Sequence, residues 1–445
     1  MIQLMFTATS KHYLPARSPK RQLVIVLVLI FGGFNFTILN ETTAADSQIT
    51  SELSSNSAAP DSETVVTNLP ASEEAVRIPW ELDQLSVCPR TYPALGFESN
   101  GVQAVFFDGL PWKGKPTRVF AYFGIPAHKE GEKVPGIVLI HGGGGTAYPD
   151  WVRHWTALGY AAIAMDICGA TPHGRHENGG PQGWGGFDQI NQPINDQWTY
   201  HAVADVILAH TLLRSFPEVD ADRVGMTGIS WGGYLTCIVA GVDSRFRFAV
   251  PVYGCGFLAY NSAWRSKLLE GNFEMSEKWL NLWDPSRYLP KAKMPFLWVD
   301  GTNDHFYPLD SLQKSYRLTL RRTLCTRVYM NHSHQWGPEE IRVFADSILK
   351  AGPPLPRIPI LGQGPGWVDF DPTTPIASAE LNFTLQTGNW EERKWGTLPA
   401  TVSRGTHKVT AVIPMRTTAY FFNLINIHGM IVSSELIMTE EGAKH

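Results

Sequence analysis

The sequence predicts an α/β fold: a mostly parallel sheet covered by helices on both faces, with a small C-terminal β-sandwich-like domain. Three observations predict it. Between about 101 and 350, solid apolar runs alternate with segments of helical spacing. The runs "VPGIVLI", "YAAIAMDI" and "MPFLWVDG" lack polar alternation, as strands buried on both faces do. Beyond "PPLPRIPI" the helical period disappears and short alternating stretches replace it.

The N-terminal stretch lies outside that fold. Lys11, Arg17, Lys20 and Arg21 precede an apolar run from Leu23 to Phe34, and "NETTAADS" follows. This order reads as a secretory signal with small residues before a cut after Ala45, or as an uncleaved anchor over 22–39; the apolar stretch is short of a comfortable membrane span. Residues 1–45 are therefore assigned to a signal peptide or anchor, and the expected location is periplasmic or secreted. Residues 46–78, rich in Ser, Thr, Ala and Glu and without an aromatic, are assigned to a flexible linker.

The α/β unit occupies 79–352. "VQAVFFDG" and "RVFAYFGIP" are early strands, expected to be antiparallel. "VPGIVLI" is a buried strand, "YPDWVRHWTALG" a helix and "YAAIAMDI" the next strand. "NDQWTYHAVADVILAHTLLRS" is a long helix, with apolar residues three and four apart. "DRVGMTGI" is a strand and "WGGYLTCIVAGV" a helix; "FRFAVPVYG", "MPFLWVDG" and "CTRVYMN" are further strands. "EEIRVFADSILKAG" is a terminal helix stopped by Gly352 and two prolines. In 356–445, Ala379, Leu381, Phe383 and Leu385 alternate with polar residues, and "HKVTAVIP", "TAYFFNLIN" and "MIVSSELIM" continue as short strands.

A net charge of −4 over 445 residues leaves no electrostatic footprint for DNA or RNA. The five cysteines form no C-x-x-C or zinc spacing and read as buried free thiols. No cofactor is expected: the glycine runs lack the Lys-Ser/Thr of a phosphate loop, and no G-x-G-x-x-G is followed by a ribose-binding acid.

The chemistry gathers at strand ends. Gly228-Ile229-Ser230-Trp231-Gly232 fits G-x-S-x-G at a predicted strand-to-helix turn. Such a turn lifts the hydroxyl out of the sheet edge, and the helix N-terminus aims N–H groups at a developing anion. The bland reading is a passive serine in a tight turn. A serine needs a base. Asp304, just beyond "MPFLWVDG", is the acid candidate, with Asp300 as its rival. His332 and His334 both follow the last strand of the unit; His334, further clear of the strand, is preferred as base and His332 is the alternative. An H-x-H pair without a third ligand is not read as a metal site. "HGGGG", from His141 to Gly145, offers oxyanion-hole amides from Gly143 and Gly144, with the N–H of Trp231 as the other donor.

The long Gly-rich segment after Asp166 and a cap insertion, "NSAWRSKLLEGNFEMSEKWLNLW", stand where α/β sheets bind ligands. Trp184, Trp198, Trp264 and Trp283 are candidates to face a substrate, set against ordinary core packing for each.

Together "HGGGG", "GISWGGY", "GTNDHFYP" and "NHSHQWG" resemble the α/β-hydrolase superfamily, and most nearly the bacterial acetyl xylan esterase, dienelactone hydrolase and prolyl-oligopeptidase-like group. The resemblance covers about 100–350; the β-rich tail more loosely resembles that of secreted hydrolases related to the PhoPQ-activated pathogenicity-related proteins. It implies that Ser230 attacks an ester carbonyl, that the histidine carries the proton to the leaving alcohol, and that Asp304 holds the imidazole. The chain departs from the peptidases in having no room before residue 100 for a β-propeller and no obvious acidic pair for a peptide amino terminus. It departs from dienelactone hydrolases in having Ser in place of Cys. The expected function is a secreted serine ester hydrolase acting on acyl groups, acetyl among them, of a polysaccharide or small molecule. A serine exopeptidase or amidase, and a non-catalytic carbohydrate-binding protein on this fold, are the alternatives.

Overall fold

The computed structural model describes residues 78–334 and 337–439. The assigned signal or anchor, and all of the linker but Ile78, lie outside the described residues.

Burial on both faces dictates the centre of the molecule. β4 (Val134–Ile140), β5 (Ala161–Met165), β9 (Ala249–Val252) and β10 (Phe296–Gly301) are buried along their whole length. They pair in parallel with β8 (Val219–Ile229) and β11 (Arg322–Arg327), in the order β5-β4-β8-β9-β10-β11. On the β5 side β3 (Lys115–Gly124), β2 (Gln103–Trp112) and β1 (Thr91–Pro93) continue the sheet antiparallel.

The strand period of two sorts side chains between two cores. Ile137 and Leu139 of β4 face α2 (Pro149–Ala157) and α8 (Glu340–Leu349), joining Trp151, Trp155, Ile341 and Phe344. Val138 and Ile140 face the other way, toward α3 (Trp198–Ser215) and α4 (Trp231–Val242). α3 begins at Trp198, three residues later than its apolar pattern suggests, because Ile194–Asp196 form a 3-10 turn after Pro193. The cap insertion folds as α5 (Arg265–Leu269) and α6 (Phe273–Trp283), and α7 (Leu309–Arg317) follows β10.

The C-terminal region is strand-rich, as expected, and it is also continuous with the main sheet. β14 (Ile376–Thr384) lies between β15 (Trp395–Ser403) and β17 (Ala419–Asn426), and β17 pairs with β18 (Ile431–Ser433). β18 in turn meets β11 at Leu324 and Ser433. A second small layer of β13 (Trp367–Asp369), β16 (Lys408–Thr410) and the end of β15 closes over Leu381, Tyr420 and Leu424 with Val368, Phe370 and Val409. Over Trp395–Ala400, where β14 is its partner, β15 has mostly exposed or half-buried side chains, so it shows no apolar alternation and tolerates Pro399. All five cysteines are free, and only Cys88 is exposed.

Candidate active site

Ser230 stands between β8 and α4 with φ 54° and ψ −120°. A non-glycine residue in this region is strained by about 1–3 kcal/mol, and surrounding contacts must enforce it. They do. Its N–H donates to the Val252 carbonyl of β9 at 2.9 Å. A Cβ on Gly228 would overlap the Gly232 carbonyl oxygen, and one on Gly232 would overlap that of Ile140. The two flanking glycines of the motif thus let α4 start directly against β4 and β8.

Asp304 lies in the turn after β10, 3% exposed. Its Oδ1 accepts the N–H groups of Phe306 (2.8 Å) and Tyr307 (2.7 Å), and its Oδ2 meets Nδ1 of His332 at 2.6 Å. The carboxylate is thereby fixed on both oxygens. Asp300 has no histidine partner among the described residues. It is fully buried, accepts only the N–H of Gly301, and burial reinforced by the nearby Asp304 charge raises its pKa well above the usual carboxylate range.

The preference for His334 as the partner of the acid is corrected: the structure gives Asp304 to His332. Tyr329, with φ 56°, turns the chain after β11, and its N–H donates to Thr302 Oγ1 at 3.0 Å. That turn returns His332 over the β10 end, where Tyr253 and Phe306 pack on the imidazole with ring centroids 4.3 and 4.8 Å away. The Tyr253 hydroxyl also donates to the Ser333 carbonyl. Tyr253 directly follows Val252, the residue that holds the Ser230 N–H, so nucleophile and imidazole lean on the same strand end. His334 is exposed, and its Nε2 lies 3.2 Å from where a Cβ on Gly142 would stand. Partial desolvation first, then His141 and His332, lower its pKa below the ordinary histidine value.

The glycines of the run differ in their surroundings. Gly144 is exposed, with φ 71° and nothing near its Cα that a side chain would meet. Gly142 is the buried one: a Cβ there would lie 3.0 Å from Ser230 Cβ and 3.2 Å from His334 Nε2. A Cβ on Gly143 would lie 2.8 Å from Cδ1 of Trp231. Among the described residues the Gly143 N–H has no acceptor. The Trp231 N–H, first in its helix, has no carbonyl one turn earlier to bond. Two donors therefore stand beside Ser230, on Gly143 and Trp231.

The Trp231 ring is buried at the centre of an aromatic cluster, with centroids of Trp264, Trp198 and Phe187 at 4.5, 5.8 and 6.1 Å. Trp198 is fully buried, its indole N–H on the Ile167 carbonyl, and Trp283 is equally buried on Gln197. Both are core rather than substrate-facing. Trp184 and Trp264 are half-buried and flank the site; Phe306, which the sequence reading passed over, joins them with its ring 5.9 Å from Trp264. A separate cavity of about 660 Å³ lies under the strap from Pro354 to Leu361 and includes none of these residues.

The acid loop is also gripped by the C-terminal region. Asn303 Nδ2 donates to the carbonyls of Trp390 (3.1 Å), Glu391 (2.9 Å) and Arg393 (2.7 Å), and His305 pairs with Glu391. The Tyr329 hydroxyl accepts the N–H of Trp395 at 2.8 Å.

This topology, with its strained serine at a strand-to-helix turn and an Asp–His pair on later loops, is an α/β-hydrolase fold. Within it, the acetyl xylan esterase family model matches residues 96–299. The model for PhoPQ-activated pathogenicity-related protein matches 255–359, the stretch bearing Asp304 and His332 and not the β-rich tail. Among similar proteins are an uncharacterized peptidase of Bacillus subtilis (strain 168), 26% identical over 55% of this chain and 36% of its own, and the human acylamino-acid-releasing enzyme, 24% identical over 49% and 31%. The chain thus spans about a third of the length of these curated relatives. A solved acetyl xylan esterase from Paenibacillus sp. R4 is 21% identical, with 60% of this chain and 92% of that one covered and a TM-score of 0.49.

Proposed function

We propose that this chain is an exported serine hydrolase that deacylates carboxylic esters, acetyl esters of polysaccharides or small molecules among them. The observation that carries the reading is the 2.6 Å Asp304–His332 hydrogen bond in a fold that also holds Ser230 strained at the end of β8. In this reading Ser230 Oγ attacks the ester carbonyl carbon while His332 Nε2 takes the hydroxyl proton. The oxyanion is received by the N–H groups of Gly143 and Trp231. The intermediate collapses, the C–O bond to the alcohol breaks, and the imidazolium returns its proton to the departing oxygen. Water then attacks the acyl-enzyme with His332 again as base, releasing the acid and free Ser230. Asp304 keeps Nδ1 protonated and stabilises the imidazolium throughout. Export rests on the N-terminal basic and apolar pattern alone. Trp184, Trp264 and Phe306 would flank the acyl or sugar part.

A serine peptidase is the second reading, favoured by the names of the curated relatives. The purified chain lacking residues 1–45 is the material for both tests. Fluorophosphonate labelling at Ser230, lost in Ser230→Ala, is the expected sign of a serine hydrolase; an unlabelled wild type would sink both readings. Acetate release from acetylated xylan or p-nitrophenyl acetate, without cleavage of acylaminoacyl or aminoacyl amides, is expected of the esterase. The opposite pattern would transfer the conclusion to the peptidase.

A further inference from the structure

Tyr253 is strained in the manner of Ser230. It follows β9 with φ 34°, as Ser230 follows β8 with φ 54°. A bulky side chain at positive φ is an outlier that its surroundings must enforce. Glycine would take this conformation without strain, yet the chain places its glycine one residue later, at Gly254, where a Cβ would lie 2.5 Å from the Ser230 carbonyl oxygen. The backbone here is fixed to the nucleophile turn. The Val252 carbonyl accepts the Ser230 N–H at 2.9 Å, and the Tyr253 N–H donates to the Val299 carbonyl of β10 at 2.8 Å. The side chain reaches the base. Its ring is 3% exposed and packs on the His332 imidazole with centroids 4.3 Å apart and planes tilted by 38°. Its hydroxyl donates to the carbonyl of Ser333, one residue beyond the base. Core packing accounts for a buried ring with a satisfied hydroxyl. It does not account for a strained strand end that spends both ring and hydroxyl on the histidine loop.

We propose that Tyr253 is a positioning residue for the reaction: it holds the His332 imidazole in register with Ser230, acting through the base and touching no substrate. The 2.6 Å bond to Asp304 fixes Nδ1 alone. The imidazole can still turn about that bond, and such a turn sweeps Nε2 away from the serine hydroxyl. A ring packed on the imidazole and an anchor on the next peptide both oppose the turn. Phe306 also packs on His332, 4.8 Å away, but its own N–H is bound to Asp304 Oδ1. Phe306 thus ties the base to the acid, and Tyr253 ties it to the strand that carries the nucleophile. Misplacing a reacting pair by about 1 Å can slow a reaction about 100-fold, so this second tie bears directly on rate. The inference rests on the serine-hydrolase reading and concerns the same site.

The test is Tyr253→Phe in the full chain, which keeps the ring and deletes one oxygen. In p-nitrophenyl acetate turnover it is expected to lower kcat about 10-fold with KM within about twofold, because the base acts in the transition state and not in ground-state binding. Tyr253→Leu, which removes the ring as well, is expected to lower kcat about 100-fold. The rate of fluorophosphonate labelling at Ser230 should fall by the same factors, since it needs the same base. The far-downfield proton NMR signal of the Asp304–His332 bond should broaden or vanish in Tyr253→Phe as the imidazole gains freedom. Tyr160→Phe is the control: that tyrosine is also buried, with its hydroxyl on Asp346 Oδ1 at 2.7 Å, but precedes β5 at the opposite end of the sheet. It should leave kcat unchanged. A Tyr253→Phe variant with kcat within twofold of wild type, a loss carried by KM alone, an equal loss in Tyr160→Phe, or an unaltered NMR signal overturns the proposal. A Tyr253→Phe variant that fails to fold marks a structural tyrosine and overturns it as well. Wild-type labelling and turnover are measured alongside, so failure of the serine-hydrolase reading registers separately.

Discussion

Asp304→Asn is the substitution whose outcome the geometry constrains most. The carboxylate takes two backbone N–H bonds on Oδ1 and faces His332 Nδ1 with Oδ2. Asparagine keeps its single carbonyl oxygen where the two amides of Phe306 and Tyr307 demand an acceptor, because leaving both unpaired in a buried turn costs about 1–3 kcal/mol each. Its NH₂ then faces His332. To accept from it, the imidazole must bear its proton on Nε2, the nitrogen that should receive the serine proton. The wrong tautomer and the lost charge together cost about 10⁴ in kcat, near 5 kcal/mol of transition-state stabilisation, by analogy with the triad of serine proteases. The fold should survive, since the three contacts remain hydrogen bonds. The assay is ester turnover with circular dichroism and thermal melting as controls. Asp300→Asn is the matched comparison. Burial and the Asp304 charge favour the neutral form of the Asp300 carboxyl, and it has no histidine partner among the described residues, so an uncharged amide should change kcat less than about threefold. An Asp304→Asn variant retaining more than a hundredth of wild-type kcat, or one no slower than Asp300→Asn, would refute the reasoning.

Other outcomes follow from packing and charge. Gly232→Ala places a methyl on the Ile140 carbonyl oxygen, where only backbone can yield; chemical denaturation should show a loss above about 3 kcal/mol, and a near-neutral value would mean that the turn is softer than the contacts require. Asn303→Ala removes three hydrogen bonds to the Trp390–Arg393 loop. It should cost about 1–3 kcal/mol of stability and lower kcat through the adjacent Asp304, whereas normal kinetics would show that the acid loop stands unaided. Burial lowers the pKa of His210, opposed by its 2.9 Å bond to Asp243, to about 4, against 6.5 for a free histidine. Its unfolded form therefore binds the proton first, so stability is complete above pH 6.5 and falls as the pH drops toward 4. Melting temperatures should track that window and flatten in His210→Gln; an unchanged slope would exclude His210 as its source.

The sheet and the nucleophile were legible in the sequence because both are local. β4 and β10 are unbroken apolar runs, and G-x-S-x-G marks a turn by its own residues. The choice between His332 and His334 was not local. Two histidines two residues apart on a loop have no periodicity to rank them. What separates them is distant in the chain: the Tyr329 turn pinned to Thr302, and the Tyr253 and Phe306 rings on the imidazole. The glycine run was opaque for a related reason, since four identical residues carry no pattern. Gly142 is singled out by how the Ser230 turn presses on it, and Gly144 by facing solvent. Trp198 and Trp264 looked alike until packing buried one and left the other half-buried. β15 escaped notice because its mostly exposed or half-buried side chains over Trp395–Ala400 show no alternating face.

The pairing of Leu324 with Ser433 bears on how the protein is made. Synthesis delivers β11 more than a hundred residues before β18. Until that late strand emerges, the parallel sheet presents an open row of amides and carbonyls, a template for any other extended chain. The catalytic half is thus the last part to be sealed, and a ribosome stalled near the Pro353–Pro354 pair would release an aggregation-prone hydrolase sheet rather than a shortened enzyme.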